Sequence, residues 1–246
     1  MPELDFAQSH ISGATRAMVT MQDIKNAIGK LMPEEREDIA VWLQQQSDAA
    51  YRIAEPAAAY NAQRETISIE EYLESEVSSN IRHEYVDGVL YAMSGASERH
   101  CLINGNIHAA FHGHLRGTSC TPFMSDYKLR LEIDRADIFY YPDLAVSCVR
   151  EGVDSHFHRY PKLIVEVLSP STERIDRQEK RLNYLQLRTL EEYVLVSQNT
   201  FEIASYRRAE HWAQHLTIGP DALMDFRSIG LTLPMAQIYE GVMERT

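Results

Sequence analysis

Along this chain the spacing of apolar positions changes several times, and each change marks an element. In the segment TMQDIKNAIGKLMPEEREDIAVWLQQQ, Ile24, Ile28 and Leu31 recur at helical spacing. Pro33 followed by Glu34 and Glu35 is a helix-start signal, and Ile39, Trp42 and Leu43 supply a second apolar face. The pattern predicts a helical hairpin followed by a linker, AAYRIAEPAAAYNAQRET, so residues 1–65 form an N-terminal hairpin-and-linker unit and residues 66–246 the main domain. A hairpin this short cannot bury both apolar faces by itself. It needs the main domain or a second copy of the chain to cover it.

After Ser68 the pattern becomes mixed. IEEYLES reads as a short helix, and EYVDGVLYAM as two apolar runs around Asp87-Gly88, a pair suited to the positive φ angles of a two-residue hairpin turn. Ile103, Ile107, Phe111 and Leu115 mark one face of a helix from Ser97 to about Arg116, ended by Gly117. Strands are predicted near Tyr127–Leu131, over Phe139–Val149 and over Lys162–Leu168, where Pro170 stops the run. Thr172 is placed to cap a helix reaching about Arg188; YVLVS, FEIASY and HWAQHLTI then read as strands and LPMAQIYEGV as a closing helix. The order predicts an α/β domain with a mixed central β-sheet flanked by helices, preceded by the N-terminal helical hairpin.

Composition narrows the class. A hydrophobic content of 44% over 246 residues can build a sizeable core. The first twenty residues carry neither a basic region nor an apolar core, and no apolar run reaches membrane-spanning length, so a cytoplasmic protein without a membrane partner is expected. Cys101, Cys120 and Cys148 show no zinc-ligand spacing and are read as reduced core thiols. With 24 basic against 36 acidic side chains the net charge is −12, so any contact with nucleic acid must be local.

Two acids stand where acids are costly, and a third enters beside them. In PKLIVEVLSP every residue from Leu163 to Leu168 is apolar except Glu166, and such a run is usually buried on both faces. An ionised carboxylate there must be protonated, paired or bound to a metal. Asp143 poses the same problem in IFYYPDLAVSCV, where Pro142, lacking an amide donor, puts it near the entrance of a strand. Glu84 enters on the adjacent hairpin. Singly, each acid could pair with an arginine or lie at a surface; together they form a hard-oxygen ligand set suited to Mg²⁺ or Mn²⁺.

The helix after Glu166 carries the opposite charge. Arg174, Arg177, Arg181 and Arg188 fall along one face, a candidate for contacting phosphates or an ordinary solvated face, while Asp176, Lys180 and Tyr184 form a neighbouring stripe. His100 is placed to stand behind Glu84 or to handle a proton. His108 and His112, one turn apart, have no third ligand marked and read as surface or partly packed side chains. No GxGxxG, P-loop or Ser-His-Asp pattern is present.

With these residues in view, the segments HEYVDGVLYAMSGASERH, YYPDLAV, PKLIVEVLSPSTERIDRQEKRLNYLQL and EEYVLVS, in this order from about Ser68 to Val242, resemble the Uma-two family of restriction-endonuclease-like proteins in the PD-(D/E)XK nuclease superfamily. The resemblance implies a restriction-endonuclease-like fold and Mg²⁺- or Mn²⁺-dependent hydrolysis of DNA. Glu84 would be the early acid, Asp143 the acid of PD and Glu166 the acid of (D/E)XK, all three holding metal. Leu168 stands where the motif has lysine; Lys180 would supply that cation from the following helix, with Tyr184 beside it. The competing expectation is a catalytically idle nuclease-like scaffold that binds a partner, with the hairpin assembling a homo-oligomer, in the simplest case a dimer.

Overall fold

The Leu163–Leu168 run is strand β8, and its alternation organises the domain. A computed structural model describes residues 66–243 apart from Asp134, residues 150–153 and Ser155; the hairpin expected in residues 1–65 lies outside the described residues. Helix α1 (Ile69–Ser78) is followed by β1 (His83–Val86), β2 (Val89–Ala92), α2 (Glu98–Leu115), β3 (Thr121–Met124), β4 (Lys128–Ile133), β5 (Ala136–Tyr140), β6 (Leu144–Ser147), β7 (Phe157–His158) and β8 (Leu163–Leu168). A short helix α3 (Glu173–Ile175), a π-helical turn (Asp176–Lys180) and α4 (Arg181–Tyr184) come next. The chain then runs through β9 (Glu192–Ser197), β10 (Glu202–Arg207), β11 (Gln214–Ile218), β12 (Leu223–Phe226), β13 (Leu231–Pro234) and α5 (Met235–Ile238).

The strands form a mixed five-stranded sheet, β2-β1-β5-β4-β7, a mixed six-stranded sheet, β11-β10-β9-β8-β6-β3, and the pair β12-β13. All six residues of β8 are buried. Leu163, Val165 and Val167 pack on the side of Ile103, Ile107, Phe111 and Leu115 from α2. Ile164 and Leu168 pack on the other side, with Leu129, Leu131 and Ile138 of the five-stranded sheet and Tyr184 of α4. Period-two alternation therefore aims Glu166 at the junction between the two sheets. Losing one such buried aromatic, as in Phe111→Ala, is expected to cost about 3–5 kcal/mol.

The local signals account for several elements. Ser97 caps α2 by accepting from the His100 amide. Asp87 and Gly88 take φ of 46° and 90° in the β1–β2 turn. A side chain at Gly88 would meet Thr66 Cβ at 2.8 Å, so both conformation and space require glycine there.

Four expectations are corrected. The strand expected over Phe139–Val149 is two strands in different sheets: β5 ends at Tyr140 and β6 begins at Leu144. Pro142 has no amide to continue a ladder, so the chain crosses between sheets there. The helix expected to reach Arg188 ends at Tyr184 and contains the π turn, and Thr172 makes no side-chain cap hydrogen bond. The closing helix is only the short α5. The thiols also differ. Cys120 and Cys148 form a disulfide, Cα atoms 3.9 Å apart, and Cys101 is free but exposed. Thr121 pairs with Ser147 across β3 and β6, which brings the two flanking cysteines face to face despite 28 residues of separation.

Candidate active site

Asp143, Glu166, Glu84 and Lys180 meet where the two sheets and the π turn converge. Antiparallel pairing of Leu144 with Val165 places the start of β6 beside Glu166. The Asp143 amide donates to Glu166 Oε2 at 3.1 Å, and the Val167 amide donates back to Asp143 Oδ2 at 2.7 Å. These reciprocal bonds lock both acids to the paired strands. His100 Nε2 lies 3.0 Å from the same Oδ2, whereas its Nδ1 is buried without a partner. Asn104 Nδ2 and the Ser125 amide both donate to the Asp143 carbonyl, at 3.3 and 3.1 Å.

Glu84 comes from the other sheet. Pairing of Tyr85 with Phe139 brings β1 against β5, and the Tyr141 amide donates to Glu84 Oε1 at 3.4 Å. Glu166 is 3% exposed, and Tyr184 Oη donates to its Oε1 at 3.0 Å. From the π turn Lys180 Nζ stands 2.8 Å from Glu84 Oε1, 3.5 Å from Glu166 Oε1 and 3.6 Å from Asp176 Oδ1. It also lies 5.3 Å from the centre of the Tyr140 ring, a cation–π contact. Leu168, where the motif has lysine, is buried among apolar side chains.

Electrostatics follow from this burial. The Glu166 carboxyl titrates well above the ordinary range because it is buried, and the Asp176 and Asp143 charges add to that shift while Lys180 opposes it. Asp176 is raised for the same first reason. Burial alone would lower Lys180, but the charges of Glu166, Glu84 and Asp176 outweigh it and hold the ammonium firmly charged. Lys180, Glu166 and Asp176 are thus all shifted upward, as expected where several buried acids surround one ammonium. Burial likewise works against the charge of His100, and the hydrogen bond and charge of Asp143 leave its pKa raised.

The donors are the kind a hard divalent cation takes, all carboxylate oxygens, and four acids face one lysine and one histidine. Asp176 Oδ1 is buried and lacks a hydrogen-bond partner. Among the described residues no group of three or more His, Cys, Asp or Glu side chains is already arranged as a metal cage. The chemistry of the set fits Mg²⁺ or Mn²⁺; Lys180 occupies the space between Glu84 and Glu166.

The arginines do not share one environment. Arg174 and Arg188 are exposed, and Arg188 lies beyond the end of α4. Arg177 pairs with Glu173 at 2.8 Å, and Arg181 donates to the Arg177 carbonyl and covers the Tyr206 ring at 5.1 Å. His108 and His112 stack on the outside of α2 with ring centres 6.1 Å apart. Sequence reasoning left Asp176, Asn104 and Tyr141 without a role. Only Asp176 had a visible signal, its spacing of four from Lys180.

The fold is restriction-endonuclease-like. A crystal structure of a putative nuclease belonging to DUF820 from Anabaena variabilis superposes with a TM-score of 0.60 at 16% identity, covering 72% of this chain and 99% of that one, a likeness of fold. The chain belongs to the Uma2 family, described as "putative restriction endonuclease", whose model matches residues 69–236. Two relatives come from Synechocystis. The uncharacterized protein slr1290 is 37% identical over 179 residues, 72% of this chain and 93% of the relative. The uncharacterized protein sll1609 is 26% identical over 161 residues, 63% and 90% respectively. No described helix is long and apolar enough to cross a membrane.

Proposed function

We propose that this protein is a Mg²⁺- or Mn²⁺-dependent endonuclease that hydrolyses DNA phosphodiester bonds. The observation that carries the reading is Lys180 Nζ, 2.8 Å from Glu84 and 3.5 Å from Glu166, a buried cation delivered by the π turn to the acids where the strand offers only Leu168. Glu84, Asp143 and Glu166 would hold the metal. When bound, it supplies positive charge against phosphate oxygens and acidifies water. Val167 N–H and His100 fix the Asp143 carboxylate, Tyr184 fixes Glu166, and Lys180 faces the charge that develops on the phosphate. Exposed Arg174 and Arg188 contact DNA phosphates outside the site, which reconciles DNA binding with an acidic chain.

Supercoiled plasmid tests this directly. With Mg²⁺ or Mn²⁺ the purified protein nicks or linearises it, EDTA stops the reaction, Glu166→Gln removes it, and Lys180→Ala lowers the rate by about 10²–10³-fold, as loss of a transition-state charge partner does. A second reading, an idle scaffold that binds a partner, draws on the closed ion pairs around Lys180 and the absence of a ready metal cage among the described residues. Intact single-stranded, double-stranded and supercoiled DNA with both metals would establish that reading instead.

A further inference from the structure

Asp176 is 2% exposed, and its Oδ1 is buried without a hydrogen bond, at 3.6 Å from Lys180 Nζ. That separation is longer than an ammonium–carboxylate hydrogen bond, whereas Glu84 holds the same Nζ at 2.8 Å. Its place is nonetheless fixed. The π turn brings both Asp176 and Lys180 to the buried side, and Tyr193 Oη donates to the Asp176 carbonyl at 3.0 Å. A buried carboxylate oxygen left unpaired is costly, and π turns inserted in helices concentrate at functional sites. Its nearest use is the ammonium beside it.

Lys180 has three N–H donors and sits 7% exposed among Glu84, Glu166 and Asp176. Two of those acids are the ones assigned above to a cation. Carboxylates whose oxygens turn to a cation release the ammonium they hold, and a buried ammonium cannot stand unpaired. We infer that Asp176 is a positioning residue, the standby counter-ion that keeps Lys180 in the site when Glu84 and Glu166 engage metal. The inference rests on the proposed ligand roles of Glu84 and Glu166. It requires only that Nζ close the gap to Oδ1, a movement within the reach of a lysine side chain.

The pairing is testable without metal. In ¹⁵N-lysine NMR of the full chain, a buried, paired ammonium exchanges its protons slowly enough to give a cross-peak, assigned by its absence in Lys180→Arg. The Glu84→Gln/Glu166→Gln double variant withdraws both acids that the metal would take. The Lys180 cross-peak persists in wild type, in Asp176→Asn and in that double variant, disappears when Asp176→Asn is added to it, and persists when the added change is Asp176→Glu. Loss of the peak in the double variant, or its survival once Asp176→Asn is added, overturns the inference. Should the double or the triple variant not fold, cleavage kinetics decide: Asp176→Asn lowers kcat by about tenfold or more with KM for DNA little changed, as loss of orientation does, and Asp176→Glu restores part of it. An unchanged kcat overturns the inference. A wild type that cleaves no DNA sinks the nuclease reading alone, because the ammonium signals still report whether Asp176 holds Lys180.

Discussion

Strands β8 and β9 carry two buried ion-pair clusters that differ in one respect. At one end Glu192, 0% exposed, pairs with Arg207 at 2.8 Å. Its second oxygen accepts the Ser228 amide at 3.0 Å, and Arg207 also donates to the Asp225 carbonyl at 2.8 Å and approaches Glu210 at 3.4 Å. Charge and hydrogen bonds close there. Three residues along β8 from Leu163, the partner of Glu192, Glu166 stands with Asp176 and Glu84 around a single lysine, and with Asp143, which faces His100. Balanced buried pairs fasten elements together, whereas a surplus of one sign in the interior stores demand for a counter-charge. The first cluster ties β9 to β10 and β12; the second leaves acids in surplus, the demand that the proposed metal would meet.

Breaking the balanced pair should give the largest effect. Arg207→Met leaves Glu192 buried and unpaired and is expected to cost about 3–5 kcal/mol by urea unfolding. Millimolar Mn²⁺ should not restore it. Lys180→Met also destabilises the metal-free protein, but Mn²⁺ should recover much of that loss, because a cation can replace the ammonium only where acids are in surplus. Equal responses of the two variants to Mn²⁺ would erase the distinction between the clusters.

A third kind of buried polar group has no hydrogen-bond partner among the described residues. His158 stacks against Phe123 and Tyr127, both its ring nitrogens lack hydrogen bonds, and burial pushes its pKa down to about 4 from 6.5. A depressed histidine binds protons better in the unfolded chain. Its contribution is therefore fully present above pH 6.5 and is lost as pH falls towards 4, by about 3 kcal/mol. Unfolding followed from pH 7.5 to 4.5 should show this loss, and His158→Phe should remove most of it; identical pH slopes would contradict the account.

Smaller effects separate the two glutamates. Glu192→Gln weakens a closed network and should cost about 1–3 kcal/mol. Glu166→Gln removes a carboxyl whose pKa burial raises, so its contribution is present below about 4.5 and lost as pH rises through the folded value. Metal-free Glu166→Gln should thus be at least as stable as wild type, with its advantage growing between pH 5 and 8. Thermal melts of both variants over that range check the contrast. The smallest expected change in stability is that of the main domain when residues 1–60 are deleted: we propose that this segment serves self-association, so the domain stays folded while the mass by light scattering falls. An unchanged mass would remove that role.

How far the sequence carried depended on whether the physics was local. The Asp87-Gly88 turn, the start of α2 at Ser97, the face of that helix and the double burial of β8 all follow from residues within a few positions of one another. Glu166 stood out because a lone acid in an apolar strand has few permitted fates. Partition of the strands between two sheets was not legible, since Pro142 announces a break without saying where the next strand pairs. Nor was the Cys120–Cys148 disulfide, which depends on the register of β3 against β6. Asp176 was visible as spacing only. A π turn alters helical phase, and no residue type in DRQEK announces one.

Mn²⁺ titration calorimetry, with melting followed in parallel, tests the central claim most directly. Wild type should bind with measurable heat and melt at higher temperature in millimolar Mn²⁺, Asp143→Ala should lose both, and Arg207→Met should still bind if its fold is retained at the working temperature. Wild-type protein that gives no heat and no melting shift at millimolar Mn²⁺ would contradict the account.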